Sequence, residues 1–211
     1  MPIPVLAQVS AASNLLPAVV GVRRLRVLDR SMRFLTLLCI LSSLEVAGEY
    51  VVGLLRHSNY FLSDYYRVIE VSLLCVVFYF STKPKQSRWL LRSLGISFAV
   101  VWGVELLLFS NPTRFNTLMS IVARSFLMTM AAIVIWTQIK DERSTMLERS
   151  VFWVAAAVIL YSTGTMAVLG LGNFLMKLGR PYFVAAWHIN WTLIIVANIF
   201  YTKGMLCKPQ V

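Results

Sequence analysis

Four glutamates, two arginines and a histidine lie within stretches otherwise apolar enough to enter a bilayer: Glu45, Glu49, Glu70, Glu105, Arg67, Arg124 and His188. An ionisable group at depth in a membrane costs roughly 3 kcal/mol or more unless it is paired or wetted, so each is a candidate for function. Glu45 and Glu49 are spaced i, i+4, on one face of a helix. In low dielectric the two cannot both be comfortably ionised without a cation, a basic partner or a proton between them. Tyr66 and Glu70 share the same spacing, and Arg67 to Glu70 at i, i+3 permits a local ion pair. Arg124 needs a carboxylate from another helix, with Glu45, Glu49, Glu70 and Glu105 as the available partners. Such a set suits binding of a proton, a cation or a polar ligand. It also suits the plainer task of bolting helices together.

These residues are placed by the elements that carry them. The chain has 211 residues, 58% hydrophobic and 14% charged, with a mean hydropathy of +0.72, well outside the range of a soluble globular domain. Crossing a ~30 Å hydrocarbon core takes about 20 apolar residues in a helix. Seven stretches qualify, near 3–22, 34–55, 64–82, 90–110, 115–138, 150–174 and 181–202. The fold class is therefore all-α, a single polytopic bundle of seven transmembrane helices. The first stretch is the weakest, because Gln8, Asn14 and Pro17 interrupt it. It reads as a span or an interfacial helix rather than a signal peptide, since "MPIP" offers no positive leading region.

The net charge of +11 raises the question of nucleic acid, and the positions of the 20 basic residues answer it. If the N-terminus is outside, 14 of them fall in cytoplasmic loops and the tail, four in outer loops, and two, Arg67 and Arg124, inside spans. That is the positive-inside pattern of a membrane protein oriented N-outside and C-inside, with anionic lipid as the partner of its basic loops and no nucleic acid. On this topology every ionisable residue within a span lies between the midplane and the outer surface. A polar cavity opening outward is the simplest arrangement that uses them together.

The last span, "WHINWTLIIVANIFYTK", adds a polar stripe. At about 100° per residue, Asn190, Trp191, Ile194, Asn198 and Tyr201 all fall within roughly 60° of Trp187, and His188 sits about 100° round at the stripe's border. The stripe is either an ordinary seam of the bundle or one wall of the cavity, with His188 and Asn190 near its mouth. Tyr161, with Ser162, Thr163 and Thr165, contributes from the sixth span, where Gly164, Gly170 and Gly172 permit close helix approach.

Familiar catalytic and cofactor patterns are absent. Two histidines, one of them His57 in a loop, give no zinc spacing, so no metal site is expected. No nucleophile elbow, phosphate loop or haem-attachment motif appears. No lysine lies within the last span before Lys203 to carry a Schiff base. No cofactor follows, and the balance leans away from an enzyme. Cys39, Cys75 and Cys207 form no disulfide framework. An echo between "VFYFSTK" at the end of the third span and "NIFYTK" at the end of the seventh fits a parallel 3+1+3 pseudo-repeat, which would place a site between the halves near Glu70 and His188.

In "SDYYRVIEVSLL" and "WHINWTLIIVANIFYTKGMLC", and in the spacing of its spans, the chain resembles a loose group of small uncharacterised seven-helix bacterial membrane proteins. The resemblance rests on Tyr66, Glu70, His188, Asn190, Asn198 and Tyr201. It implies a bacterial inner membrane and no particular activity. The leading functional expectation is a sensor or receptor-like protein that binds a small or amphiphilic ligand in an outward-facing cavity and signals through a cytoplasmic protein partner at its basic loops. A proton- or cation-coupled transporter or channel using the glutamates is the alternative, followed by an intramembrane enzyme and a pore-forming effector.

Overall fold

The computed structural model describes residues 4–54, 60–108, 117–140 and 145–207. They form an all-helical bundle: α1 (Val5–Ser13), α2 (Leu15–Arg24), α3 (Arg30–Leu54), α4 (Tyr60–Ser81), α5 (Lys85–Leu108), α6 (Thr117–Ile139), α7 (Ser150–Leu178) and α8 (Arg180–Leu206), with a short 3-10 turn at Met146–Glu148. Helices α1 and α2 form one stretch interrupted at Asn14. The interruption follows from Pro17, whose nitrogen cannot bond the carbonyl of Ser13 and whose ring crowds it. One residue further on, the Asn14 carbonyl accepts a hydrogen bond from the Ser43 hydroxyl at 3.3 Å.

Among the described residues, six stretches are long and apolar enough to cross a membrane: Val5–Arg24, Arg30–Gly53, Lys85–Leu107, Thr117–Ile139, Ser150–Leu171 and Pro181–Leu206. They mark the chain as a multi-pass membrane protein. The seventh long helix, α4, is also apolar over most of its length, but Asp64, Arg67 and Glu70 crowd into its first half. The charge that lowers its hydropathy is the charge that sequence reasoning selected as functional.

Short connections make successive long helices antiparallel neighbours. The α1/α2 stretch packs on α3, α3 on α4, α4 on α6, α6 on α7, α7 on α8, and α8 back on α1 and α2. Six elements thus close a ring. Helix α5 lies outside it, packed on α4 and α6.

The ring has two unlike halves. At the end where α2, α4, α6 and α8 finish, the interior is solid: Met32, Leu35, Leu74, Val77, Phe78, Met130, Val134, Val154, Ala155 and Met205 are buried. The basic residues gather at this end, and some are structural. Arg24 donates to the Met205 carbonyl at 2.6 Å, satisfying a helix C-terminus where a cation is favoured. Arg149, fully buried, donates to the Gln138 carbonyl at 2.8 Å and to its side-chain oxygen at 3.0 Å. At the opposite end α7 turns directly into α8 through Gly179, whose φ of 123° is a conformation that favours glycine.

Close approach at the solid end rests on Gly204. A Cβ there would lie 2.9 Å from the Ser150 carbonyl oxygen and 3.4 Å from Val154 Cγ2. A backbone oxygen cannot swing aside, so Gly204→Val is expected to force α7 and α8 apart and cost about 1–3 kcal/mol. Thermal unfolding followed by tryptophan fluorescence should show the loss. Gly53→Ala, with nothing within 4 Å of the added carbon, should show none.

Candidate functional site

The other half of the ring is hollow. A cavity of about 300 Å³ runs between all six ring elements, at the lower end of the size range of small-molecule sites. Its floor is made by Leu38, Cys39, Ala197 and Tyr201, and its walls rise toward Glu49, Ser63 and Trp187.

Most of the ionisable and polar residues singled out from sequence line this space: Glu45, Glu49, Tyr66, Arg67, Glu70, Arg124, Tyr161, Asn190, Asn198 and Tyr201. Helix geometry explains the convergence on α8. Trp187, Asn190, Trp191, Ile194, Asn198 and Tyr201, the stripe predicted from its angular spacing, all face the cavity. Tyr161, Thr165 and Leu169 do the same at i, i+4, i+8 on α7.

Two residues depart from expectation. His188 is exposed on the outer face of α8, its ring 5.3 Å from that of Trp191, and it is not among the cavity-lining residues. A position 100° from the centre of the stripe is far enough round to leave the ring interior. Glu105 lies at the right depth but on α5, outside the ring, and does not line the cavity either.

The best-defined contact is the ion pair between α6 and α4, in which Arg124 Nη1 lies 2.7 Å from Glu70 Oε1. Both side chains are more than nine-tenths buried. The second arm of the guanidinium, Nη2, donates to the Tyr161 hydroxyl at 3.1 Å, and the guanidinium carbon sits 4.4 Å from the centre of the Tyr161 ring. Arg124 therefore joins α4, α6 and α7 at one point, through charge and through the ring face.

Each remaining ring interface carries a polar contact of its own in the cavity wall. Ser63 on α4 donates to Glu49 on α3. Thr165 on α7 donates to the Asn190 side-chain oxygen on α8 at 3.2 Å. Asn198 on α8 donates to Ser13 at 2.8 Å and to the Asn14 side-chain oxygen at 3.2 Å. Ser42 on α3 reaches the same Asn14 oxygen at 3.4 Å. With Glu70, Arg124 and Tyr161 these contacts form a closed polar hoop, one link for each pair of neighbouring ring elements.

No family model, curated protein or solved structure matches the chain. The chemistry of the site must therefore be read from its own side chains.

The hoop does not satisfy every group in the cavity wall. Glu70 Oε2 and Arg124 Nε are buried with no hydrogen-bond partner among the described residues. Glu45 faces Glu49, then Glu70 and Arg124, so a second carboxylate is its first charged neighbour. The described residues contain no cluster of three or more histidine, cysteine or carboxylate side chains able to hold a metal ion. The cavity is thus a polar container with aromatic walls, in which acid, base, amide and hydroxyl groups remain available to a ligand.

Asn14, Ser42 and Ser63 also line the cavity without having been named as site candidates. Asn14 had a visible signal, as the polar residue that weakens the first span. For the hydroxyl residues there was none, because serine and threonine in membrane helices commonly bond their own backbone. Thr163 does so, donating to the Ile159 carbonyl at 2.8 Å.

Removing one partner of the buried pair leaves the other charged and alone. Glu70→Leu and Arg124→Leu are each expected to destabilise by about 3–5 kcal/mol, whereas the double substitution should recover most of that loss. A double-mutant cycle by thermal unfolding in detergent measures the coupling. Additive losses would mean that the pair does not hold α4 to α6.

Proposed function

We propose that the chain spans the membrane seven times with its basic end in the cytoplasm, and that it acts as a receptor-like protein binding a small or amphiphilic ligand in the cavity from the extracytoplasmic side. The observation that carries this reading is the contrast between the two halves: a polar cavity closed below by packed apolar side chains. A cavity closed on one side by a packed base suits binding better than passage. The positive-inside pattern supports the orientation, and α4 is counted as the seventh span because its charged first half turns Arg67, Glu70 and Tyr66 into the cavity.

The ring with α5 outside it is the arrangement a parallel 3+1+3 duplication would produce, with α5 as the interposed helix. It supports a site at the interface of two three-helix halves, the place where such folds build one. The resemblance to small bacterial seven-helix proteins supports a bacterial inner membrane. Signalling would pass to a protein partner at the cytoplasmic loops, through shifts of the helices that the hoop ties together.

Coupled transport is the second reading, favoured by the surplus of glutamates in the cavity. It requires a path through the packed half, past Met32, Leu35, Val77 and Met130, all nearly inaccessible.

Cysteine accessibility in bacterial spheroplasts separates these readings. Ser63→Cys should react with a membrane-impermeant maleimide from outside, and Leu35→Cys from neither side. Labelling of Ser63→Cys only after permeabilisation would reverse the orientation. Proteoliposomes should show no proton flux above the protein-free level. A flux abolished by Glu49→Gln would replace binding by transport.

A further inference from the structure

Among the charged residues lining the cavity, three carboxylates, Glu45, Glu49 and Glu70, stand against two guanidinium groups, Arg67 and Arg124. Even with both arginines counted, one negative charge is left over in a space walled by protein. Low dielectric makes a surplus charge of that kind unfavourable unless a proton or a cation shares the site, and a ligand that brings an ammonium group supplies either.

A second, independent feature points the same way. Glu70 is 95% buried, being only 5% exposed, and lines the cavity, yet its Oε2 has no partner among the described residues. A buried carboxylate oxygen without a donor strongly favours a ligand that brings an N–H or O–H.

The walls define the rest of the ligand. Trp187 and Trp191 have ring centres 6.2 Å apart, tilted by 38° to one another, and both face the cavity together with Tyr66. Tryptophan faces attract organic cations, most strongly where water is excluded. Leu169, Ile194, Val46 and Ala197 supply apolar surface beside them.

Resting on the reading of this cavity as a binding site, we propose that its ligand is a protonated primary amine carried on a compact apolar body. With a small rotation of the Glu70 carboxylate its free oxygen accepts from the ammonium group, which also neutralises the Glu45 and Glu49 pair. The apolar body lies against the tryptophan faces and the aliphatic wall. An anionic ligand would meet three carboxylates, with both terminal nitrogens of Arg124 already held by Glu70 and Tyr161 and only its buried Nε unpartnered.

Equilibrium dialysis of the full-length protein in lipid nanodiscs, corrected for binding to protein-free nanodiscs, tests the assignment with three matched probes at neutral pH: 4-phenylbutylamine, 4-phenylbutanol and 4-phenylbutyrate. The amine is expected to bind saturably, near one per chain, and at least ten-fold more tightly than either of the others. Glu49→Gln and, independently, Trp191→Leu should each weaken it at least ten-fold, with the wild-type melting temperature retained in at least one of the two. Equal or tighter saturable binding of the alcohol or the acid would overturn the amine assignment while leaving the cavity a binding site. Amine binding that neither substitution weakens would overturn the placement. If none of the three binds saturably, the binding reading and the amine both fall.

Discussion

Apolar helix faces gain little by leaving lipid for one another, since lipid tails are as apolar as leucine. The closed ring of this protein therefore depends on contacts that lipid cannot offer, and the Arg124–Glu70 pair with Tyr161 is the strongest of them. It fixes three of the six ring elements at one depth and one azimuth. The weaker links through Glu49, Asn190, Asn198 and Asn14 complete the circuit at single-hydrogen-bond strength, each on the order of 1 kcal/mol in a membrane. Their collective effect is geometric. Helices joined only by leucine and valine can slide or rotate against each other, whereas a hoop of directional contacts sets the rotation of every member.

The same requirement accounts for the cavity. Polar side chains that must meet between helices point inward, and charged and aromatic groups of this size cannot interdigitate as closely as the methyl-rich surfaces below them. Packing changes accordingly along the bundle axis. The buried methyl-rich side chains, Leu35, Val77, Met130 and Val154 among them, fill the solid end, and the hollow lies where Glu45, Glu49, Glu70 and Arg124 gather. The residues that bolt the helices together are thus also the ones that line the hollow. A ligand that competes for Glu70 or Glu49 necessarily acts on the contacts between α3, α4 and α6. This is how occupancy would be felt at the helix ends.

Much of this was legible in the sequence because depth is a one-dimensional property. Once the spans are drawn, a rise of 1.5 Å per residue puts Glu45, Glu49, Glu70, Arg124 and Asn190 in one half without knowledge of which helices touch. Azimuth was legible on α8, where six cavity-facing residues share a sector wide enough to survive error in the angle. It failed for His188, which stands at the edge of that sector. Neighbour order was not legible at all. Glu105 has the right depth and the right chemistry, but nothing local to α5 says that it packs outside the ring, since that is decided by the direct packing of α4 on α6. Asn14 was visible only as a flaw in the first span. Its role as the point where α3 and α8 meet that span depends on partners 28 and 184 residues away.

The interruption at Asn14 also bears on how the two halves work together. An uninterrupted first helix would present a methyl-rich surface to α8, sealed like the base of the bundle. Pro17 removes one backbone hydrogen bond, and the asparagine beside it then holds Asn198 and Ser42 at the cavity wall. A kinked helix costs little where neighbouring hydroxyl and amide groups supply hydrogen bonds, and next to the break Ser43 donates to the Asn14 carbonyl. The first element is therefore in two segments with different attachments: α1 packs on α8, while α2 packs on both α3 and α8. A change in the hoop at Asn198 would act on the joint between them, while Arg24, at the far end of α2, remains tied to the last turn of α8. That arrangement gives the cavity a wall broken at Asn14 above a base held at Arg24, which a uniformly packed seam would not have.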